Sequence, residues 1–490
     1  ISWGVQSSNR TFRATDFQGS TAVDRKLVPV KFTMSNMTTA EVEQMFMHNI
    51  SSIMEMLDKL KASQAGHADL ATNTNMDLMW VMICGILVVF MQAGFSVLEA
   101  GSVSEKNLTN ILFKNIMDMS ISTICWFLVG YGVAFGKTAG GFIGSTNYAI
   151  SEIFNDSDVG GIDNDGWAHW FFQWAFAGTA STIVSGSIAE RTKLQAYLIF
   201  TIFMTCFIYP VAVHWVWGEG FLSAFNANPD SEGNARPLLT GTERSNGVLD
   251  FAGSGVVHIV GGVSGLVGAV LVGPRKDRFN PVTGQPNDMN HANSTLLCLG
   301  AFILWFGWYG FNCGSTLHVS GNGANIAGKA AVTTTLAAGS ACIASTIIAR
   351  LSTSYFDIAL TINGILGGLV AITASCAFVE PWMACFIGVV AAAVFNGAHQ
   401  LLLRLGIDDP LDASAVHGAC GIWGLMAAGM FCSDANVQYA GYPNTNTACK
   451  SGEQFGVQLI GIFALLIWVV FASGLCFLVL RRTIGIRVAG

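Results

Sequence analysis

The chain has 490 residues, of which 52% are hydrophobic and only 11% are charged. Soluble domains carry about 25% charged residues, so the composition excludes an ordinary soluble protein and indicates that lipid is the main solvent. The formal net charge of −7 comes from acids concentrated in polar segments. We therefore expect no nucleic-acid partner.

Residues 1–75 form a polar N-terminal extension. After a Thr38-Thr39 start, apolar residues recur within it at helical spacing, at Phe46, Ile50, Ile53, Leu57 and Leu60. The spacing predicts a short amphipathic helix. Two interpretations stay open, because two heptads are too few to define a coiled coil: the helix docks on the protein's own outer face, or it associates around an oligomer axis.

The rest of the chain consists largely of long apolar segments. A helix needs about 20 mostly apolar residues to cross a bilayer. We predict an all-α membrane protein with a transmembrane domain at 76–482 and the start of a cytoplasmic tail at 483–490. Its eleven transmembrane helices are expected near 78–98, 110–136, 168–189, 194–217, 250–273, 294–312, 325–350, 357–379, 382–405, 411–432 and 455–480.

Lysine and arginine are unevenly distributed between the two sides of these spans. Twelve lie on the side predicted to be inner: Lys106, Lys114, Arg191, Lys193, Arg275, Lys276, Arg278, Arg350, Arg404, Arg481, Arg482 and Arg487. The connections on the other side contain five: Lys137, Arg236, Arg244, Lys329 and Lys450. Because basic residues favour the cytoplasmic side, the bias predicts an outer N-terminus and an inner C-terminus.

This orientation gives two expectations for covalent modification. Cys432 and Cys449 bracket one polar loop, and they can close a disulfide if that loop is extracellular. The other cysteines lie mostly singly in apolar stretches and should be reduced. Glycosylation sequons face outside at Asn9, Asn36, Asn49 and Asn155.

Two histidines lie inside predicted spans, where ionisable groups are costly and usually functional. His258 follows Asp250 by eight residues, and His417 follows Asp409 by the same interval, five spans later. The correspondence predicts two inverted five-helix repeats plus a final helix, with the functional site at their interface. For either histidine alone, a core hydrogen bond to a backbone carbonyl is the competing interpretation.

The two aspartates have a structural interpretation as well. Asp250 and Asp409 begin their predicted helices, so both can act as caps, with Pro410 at the first helical position. We accept capping for Asp409. For Asp250, capping and stabilisation of a waiting cation both remain open. No third metal ligand accompanies the histidines, so we expect no metal and no cofactor.

Aromatic residues gather at predicted outer helix ends. Such residues form an interfacial belt or ordinary core packing, or their ring faces attract a cation by about 0.5 to 2 kcal/mol each. A small cation would then be held by rings together with one hydroxyl. The residues concerned are Phe172, Phe176, Trp217, Trp308, Phe311 and Ser315.

From about residue 76 to 490, the sequence resembles the ammonium transporter, methylammonium permease and Rhesus protein family. The motifs that carry the resemblance occur in the expected order, and Trp217 with Ser315 indicates the ammonium transporter branch. They are FSVLEAGSVSEKN at 95–107, GSIAER at 186–191, DFAGSGVVH at 250–258, WYGFNCGS at 308–315, GGLVAITA at 367–374 followed by Pro381-Trp382, and HGACG at 417–421.

The resemblance implies a non-enzymatic homotrimer in the plasma membrane, with one pore in each subunit. Phe176, Trp217 and Ser315 would form an outer recruitment site for ammonium, with Asp250 stabilising the charge indirectly. Methylammonium is a further expected substrate. Glu219 departs from the small residue expected after Trp217-Gly218. The sequence to Gly490 does not include the family's long cytoplasmic tail, so the resemblance implies nothing about regulation here.

Below that site, the resemblance implies an aromatic gate and a pore. Phe176 and Phe311 would stack as the gate, beside Phe172. Trp308 would line the pore beneath them, and His258 and His417 would form a pair inside it.

The functional hypothesis is that ammonium is recruited intact, gives up its proton, and crosses as ammonia past the histidine pair, with or without the proton. The alternatives are an ammonium sensor, an ion-coupled transporter of a larger solute, and a membrane metalloenzyme.

Overall fold

A computed structural model describes residues 38–150, 166–225, 247–289, 293–442 and 448–488. The chain divides into two compact units, Ile1–Ala68 and Asp69–Gly490. In the first unit, the described backbone from Thr39 onward is helical. The side chains that predicted the amphipathic helix lie outside the described residues, so their docking stays a prediction.

The second unit is helical throughout most of its described length. Its α-helices, with the first beginning in the preceding unit, are α1 Thr39–Ser102, α2 Leu108–Cys125, α3 Tyr131–Phe135, α4 Gly166–Ser187, α5 Leu194–Phe203, α6 Tyr209–Val216, α7 Val260–Val272, α8 Ser294–Gly314, α9 Gly323–Thr353, α10 Ile358–Thr373, α11 Pro381–Arg404, α12 Cys420–Phe431, α13 Asp434–Tyr439, α14 Ala448–Ser451 and α15 Glu453–Thr483. The short amphipathic helix expected in the N-terminal extension stays a prediction.

Several helices contain π-helical turns, which are rare and concentrate at functional sites. They lie at Trp126–Gly130, Met204–Ile208, Ser254–Ile259 and Ser414–Ala419. Short 3₁₀ turns occur at Glu105–Asn107 and Tyr148–Ile150. One small antiparallel hairpin was not predicted from the sequence. In it, β1, Thr138–Ala139, pairs with β2, Ile143–Gly144.

Nine helical segments within the described ranges are long and apolar enough to cross a membrane. Two of the eleven predicted spans are not among them. Helix α4 covers the predicted span at 168–189, and α10 is a 16-residue helix where 357–379 was expected. Both are covered mainly by neighbouring helices, so their sequences need not be as apolar as a lipid-facing surface. The count of eleven therefore stays a prediction.

The outer surfaces of the long helices are apolar. Large hydrophobic side chains such as Phe302, Ile343 and Ile467 are at least 65% exposed. Broad exposed apolar surface is unfavourable in water, and it suits contact with lipid chains. The chain is therefore a multi-pass membrane protein.

Three connections meet at one end of the second unit in an arginine cluster, formed by Glu190, Arg191, Arg275, Arg278 and Asp408. Arg275 binds Asp408 through two nitrogens, at 2.8 and 2.9 Å, and it binds Glu190 at 2.5 Å. Arg191 donates to the backbone carbonyl oxygens of Ser187 and Asp408. These charges are largely buried, so each depends on its partners.

Acidification should weaken the arginine cluster. Burial raises the pKa of Glu190, but hydrogen bonds from Ser104, Arg275 and Asn107 outweigh it and lower the pKa from 4.5 to about 2. A carboxyl group whose pKa is lowered by folding stabilises the folded state above its unfolded pKa, and that contribution is lost as pH falls through the folded pKa.

We therefore expect wild type to be more stable than Glu190→Gln at neutral pH, by an amount that stays constant down to about pH 4.5 and shrinks toward pH 2. Thermal unfolding midpoints of the two purified proteins in detergent measure this difference. A difference that does not change with pH would contradict the assignment.

Candidate functional site

The two histidines of the sequence analysis meet in the centre of the second unit. Nδ1 of His258 lies 3.1 Å from Nδ1 of His417, so one of the two nitrogens donates a hydrogen bond to the other. The rings are nearly parallel, with centroids 5.2 Å apart. His258 is fully buried, and His417 is 5% exposed. The competing interpretation, a separate core hydrogen bond for each histidine, is wrong.

The histidines occupy equivalent positions in their elements. Each is near the end of a six-residue π-helical turn, Ser254–Ile259 or Ser414–Ala419, at the start of a helix. The two elements cross where Gly262 meets Gly418. A Cβ atom on Gly262 would lie 2.2 Å from the backbone nitrogen of Gly418, so only glycine permits this approach.

Asp250 and Asp409 precede those turns and cap them. Both lie outside their helices, because the π-helical turns begin only at Ser254 and Ser414. The expectation that Pro410 occupies a first helical position is therefore wrong. The Asp250 carboxylate accepts hydrogen bonds from the backbone N–H groups of Gly253, Gly255 and Val256.

The Asp409 carboxylate accepts in the same way from the backbone N–H groups of Ala413 and Ser414. Both carboxylates thus neutralise helix N-termini, whose unpaired N–H groups are partly positive. Asp250 is 1% exposed, and its oxygens are occupied by these bonds.

A column of aromatic rings extends from the histidine pair. Phe311 stacks on Phe176 with centroids 4.1 Å apart, and its centroid lies 5.6 Å from that of His258. Trp308 stacks on His258 at 5.3 Å, while Phe172 lies 4.7 Å from Phe176. Nε1 of Trp308 donates to the Thr373 hydroxyl at 2.9 Å, which fixes the indole orientation.

Phe176 also lines a cavity of about 360 Å³, called the aromatic cavity here. Its other lining residues include Trp217, Ser315, Asp250 and Phe172. Trp217 presents its ring to Phe176 at 5.9 Å, and its Nε1 donates to the Asp250 carbonyl oxygen at 2.7 Å. The Ser315 hydroxyl donates to the Phe311 carbonyl oxygen, so its oxygen remains available as an acceptor.

Two further cavities lie beyond the histidine pair. The histidine cavity, of about 20 Å³, is lined by His417 and Glu99, with mainly apolar neighbours. The arginine cavity, of about 230 Å³, is lined by Arg275 and Arg278 and shares Asn363 and Leu411 with the histidine cavity. The aromatic cavity, the ring column, the histidine pair and these two cavities therefore follow one another.

The structure also locates the predicted modification sites. Cys432 and Cys449 form a disulfide. The segment between them contributes Ala440, Gly441 and Tyr442 to the aromatic cavity. Asn9, Asn36 and Asn155 lie outside the described residues, as does the side chain of Asn49, so glycosylation stays a prediction.

Glu219, the noted departure from the family pattern, accepts a hydrogen bond from the backbone N–H of Thr138 in the hairpin. Glu219 is not among the described residues that line the aromatic cavity. Its carboxylate therefore supports the hairpin and does not alter the cavity wall directly.

Several residues of the site were missed in the sequence. His169 and Gln173 line the aromatic cavity with Phe172 and Phe176. The spacing of these four residues along α4 places them on one helical face. That shared face could have been recognised in the sequence. Elsewhere, Glu99, Lys114 and Asp118 are buried. Lys114 was counted with the inner basic residues, although an ionisable residue inside a span indicates a buried role.

A family model described as the Ammonium Transporter Family matches residues 79–490. Ammonium transporter 1 member 3 of Solanum lycopersicum is 38% identical over 433 residues, covering 85% of this chain and 89% of the relative. Ammonium transporter Amt2 of Archaeoglobus fulgidus is 38% identical over 419 residues, covering 84% of each chain.

The solved structures that this chain resembles include Amt and Mep proteins. A structure described as a sensor Amt protein is 33% identical, with a TM-score of 0.74, and the similarity covers 85% of this chain and 96% of the other. Mep2 of Candida albicans is 26% identical, with a TM-score of 0.71, covering 85% and 86% of the two chains. The resemblance identified from the sequence motifs is confirmed.

Asp250→Asn should destabilise the fold. An amide nitrogen would replace one of the oxygens that accept backbone N–H groups, and hydrogen bonds to a charged group contribute about 1.5 to 3 kcal/mol each. We expect a clear fall in the thermal unfolding midpoint in detergent, without added ammonium. Asp409→Asn is the matched variant and should behave alike. Unchanged stability of Asp250→Asn would contradict the capping role.

Proposed function

The chain belongs to the ammonium transporter family, and from that premise we propose that it carries ammonium across the membrane and is not an enzyme. In this proposal, NH4⁺ is recruited in the aromatic cavity and deprotonated. Ammonia then passes the ring column and the histidine pair. One observation carries the proposal: a cavity lined by aromatic rings, a hydroxyl and a buried carboxylate adjoins stacked phenyl rings that contact two hydrogen-bonded imidazoles.

Recruitment must depend on chemistry more than on size, since hydrated ammonium resembles potassium in radius. The faces of Trp217 and Phe176 attract a cation, by about 0.5 to 2 kcal/mol each. Ammonium offers only hydrogen-bond donors. The Ser315 oxygen supplies an acceptor, because its own hydrogen is engaged by the Phe311 carbonyl oxygen.

Asp250 contributes to recruitment indirectly. Its carboxylate is engaged by backbone N–H groups and is therefore not free to replace the hydration of a cation. Its negative charge still acts through the buried surroundings, where electrostatic interactions are weakly screened. It also fixes Trp217, whose indole nitrogen donates to the Asp250 carbonyl oxygen.

Conduction favours the neutral molecule. Phe176, Phe311 and Trp308 are each at most 1% exposed, so a bare cation between them would lose its hydration without adequate replacement. That cost exceeds what ring contacts return. The stacked phenyl rings must separate for passage, which makes them the gate, while Phe172 packs beside them. Beyond the gate, the imidazoles give ammonia hydrogen-bond partners.

The proton has two possible fates. Two hydrogen-bonded imidazoles can accept and donate protons, so the pair is a candidate relay that would make transport electrogenic. If the proton stays behind, the protein is a neutral gas channel. Both versions use the same cavity and the same pore.

The finer architecture is part of this proposal. We place the aromatic cavity outside and the arginine cluster inside, with eleven spans, two inverted five-helix repeats and a plasma-membrane homotrimer. The distribution of lysine and arginine supports the orientation. The matching aspartate, π-helical turn and histidine in the two halves support the repeat.

A sensor is the second candidate, favoured by the 33% identity to the sensor Amt protein. A sensor would bind ammonium in the aromatic cavity and pass little of it. Uptake of labelled methylammonium by cells that lack their own transporters separates the two functions. Uptake above that of empty-vector cells supports a transporter, whereas binding to the purified protein without uptake supports a sensor.

Trp217→Leu should weaken the apparent affinity for ammonium. Leucine removes the ring face, which we expect to cost about tenfold for a contact of 1 to 2 kcal/mol. The measurement is the concentration dependence of methylammonium uptake and its inhibition by ammonium.

Trp217→Phe is the matched control. Both variants lose the indole hydrogen bond to Asp250, but phenylalanine keeps a ring. Affinity should fall less for phenylalanine than for leucine. Equal affinities in wild type and Trp217→Leu, with normal surface expression, would count against cation binding on the ring.

A further inference from the structure

Glu99 is a buried acid that the mechanism above does not use. It lies near the C-terminal end of α1 and is 2% exposed. The histidine cavity is lined by Glu99 and His417 together. A carboxylate and an imidazole of the pore therefore face the same small space.

The size of that space limits what can occupy it. A cavity needs about 10 to 15 Å³ to hold one water molecule, and the histidine cavity has about 20 Å³. One molecule the size of water or ammonia fits. Most of the other lining residues, such as Leu98 and Ile183, are apolar. A polar occupant therefore finds its strongest partners in Glu99 and His417.

The polar residues around Glu99 satisfy its carboxylate less well than they satisfy the carboxylate of Asp118. The nearby Asp118 accepts hydroxyl hydrogen bonds of 2.7 to 2.8 Å from Ser181, Thr182 and Thr201. Glu99 is less completely satisfied. It accepts a longer bond of 3.3 Å from the Ser185 hydroxyl.

The one lysine of this group, Lys114, acts on Glu99 electrostatically. Nζ of Lys114 lies 3.5 Å from the Ser185 carbonyl oxygen and 4.4 Å from the centroid of the Tyr197 ring. Among the described residues, Lys114 and Asp118 do not line the histidine cavity, whereas Glu99 and His417 do. Glu99 is therefore the ionisable partner of His417 in that space.

We propose that Glu99 is the proton acceptor between the histidine pair and the transported nitrogen, an inference that rests on the proposed function. The protonated His417 ring loses an N–H proton, and an O–H bond forms on Glu99, through the single molecule in the cavity where needed. Ammonia then takes that proton, the O–H bond breaks, and NH4⁺ forms. Glu99 returns to a carboxylate, and the proton originates from the ammonium deprotonated in the aromatic cavity.

The test compares current with flux for the same purified proteins in liposomes. Current is recorded after a jump in the external ammonium concentration. Flux is measured from the change in internal pH and from the uptake of labelled methylammonium. Glu99→Gln keeps the shape of the side chain but cannot accept the proton. We therefore expect its ratio of current to flux to fall about tenfold or more, as for the loss of a proton-transfer group. Glu99→Asp keeps a carboxylate and should restore part of the current.

Asp118→Asn is the matched control, because it neutralises a buried acid that does not line the histidine cavity. Its ratio of current to flux should remain that of wild type, even if less protein folds. A wild-type ratio in Glu99→Gln, or an equal fall in Asp118→Asn, would overturn the role of Glu99 alone. Flux without current in the wild-type protein would also overturn the role of Glu99 in proton transfer, while the proposed transport of ammonium would stand. Binding without flux or current would instead contradict the proposed function.

Discussion

The architecture depends on bringing two helix starts together in the interior of a membrane protein. Each start exposes N–H groups that lipid cannot satisfy, and each contains a histidine. The carboxylates of Asp250 and Asp409 satisfy those groups, while glycine at the crossing of the two elements permits the approach that places the imidazoles 3.1 Å apart. Without these caps, the imidazole pair could not be held in place.

The same principle, in which each buried polar group has a designated partner, extends to both ends of the path. At one end, the arginine cluster joins three connections through buried ion pairs. At the other, Trp217 is fixed by the backbone carbonyl oxygen of Asp250, so the residue that caps a helix also orients a cavity wall. Positioning by such fixed partners is what a selective site for a small cation requires.

Much of this arrangement could be predicted from the sequence, because membrane segments combine apolar runs with rare ionisable residues. The equal spacing of Asp250 to His258 and Asp409 to His417 indicated a matched pair, and the motifs indicated the family. The helix starts were misplaced by several residues, since hydropathy does not register a π-helical turn or a left-handed Gly253. Glu99 was overlooked because it lies just past a predicted span. Lys114 was overlooked because a positive charge near a helix end was interpreted as evidence for membrane orientation.

Helices α4 and α10 have a consequence for biosynthesis. Insertion into a bilayer occurs segment by segment and rewards apolar surface, yet α4 contains Gln173 and several hydroxyl residues, and α10 has only 16 residues. Neither meets the length and hydropathy expected of an independent span. Their predicted position in the membrane therefore requires neighbours that are already inserted, so we expect their insertion to be sensitive to changes in helices that never touch the transported molecule.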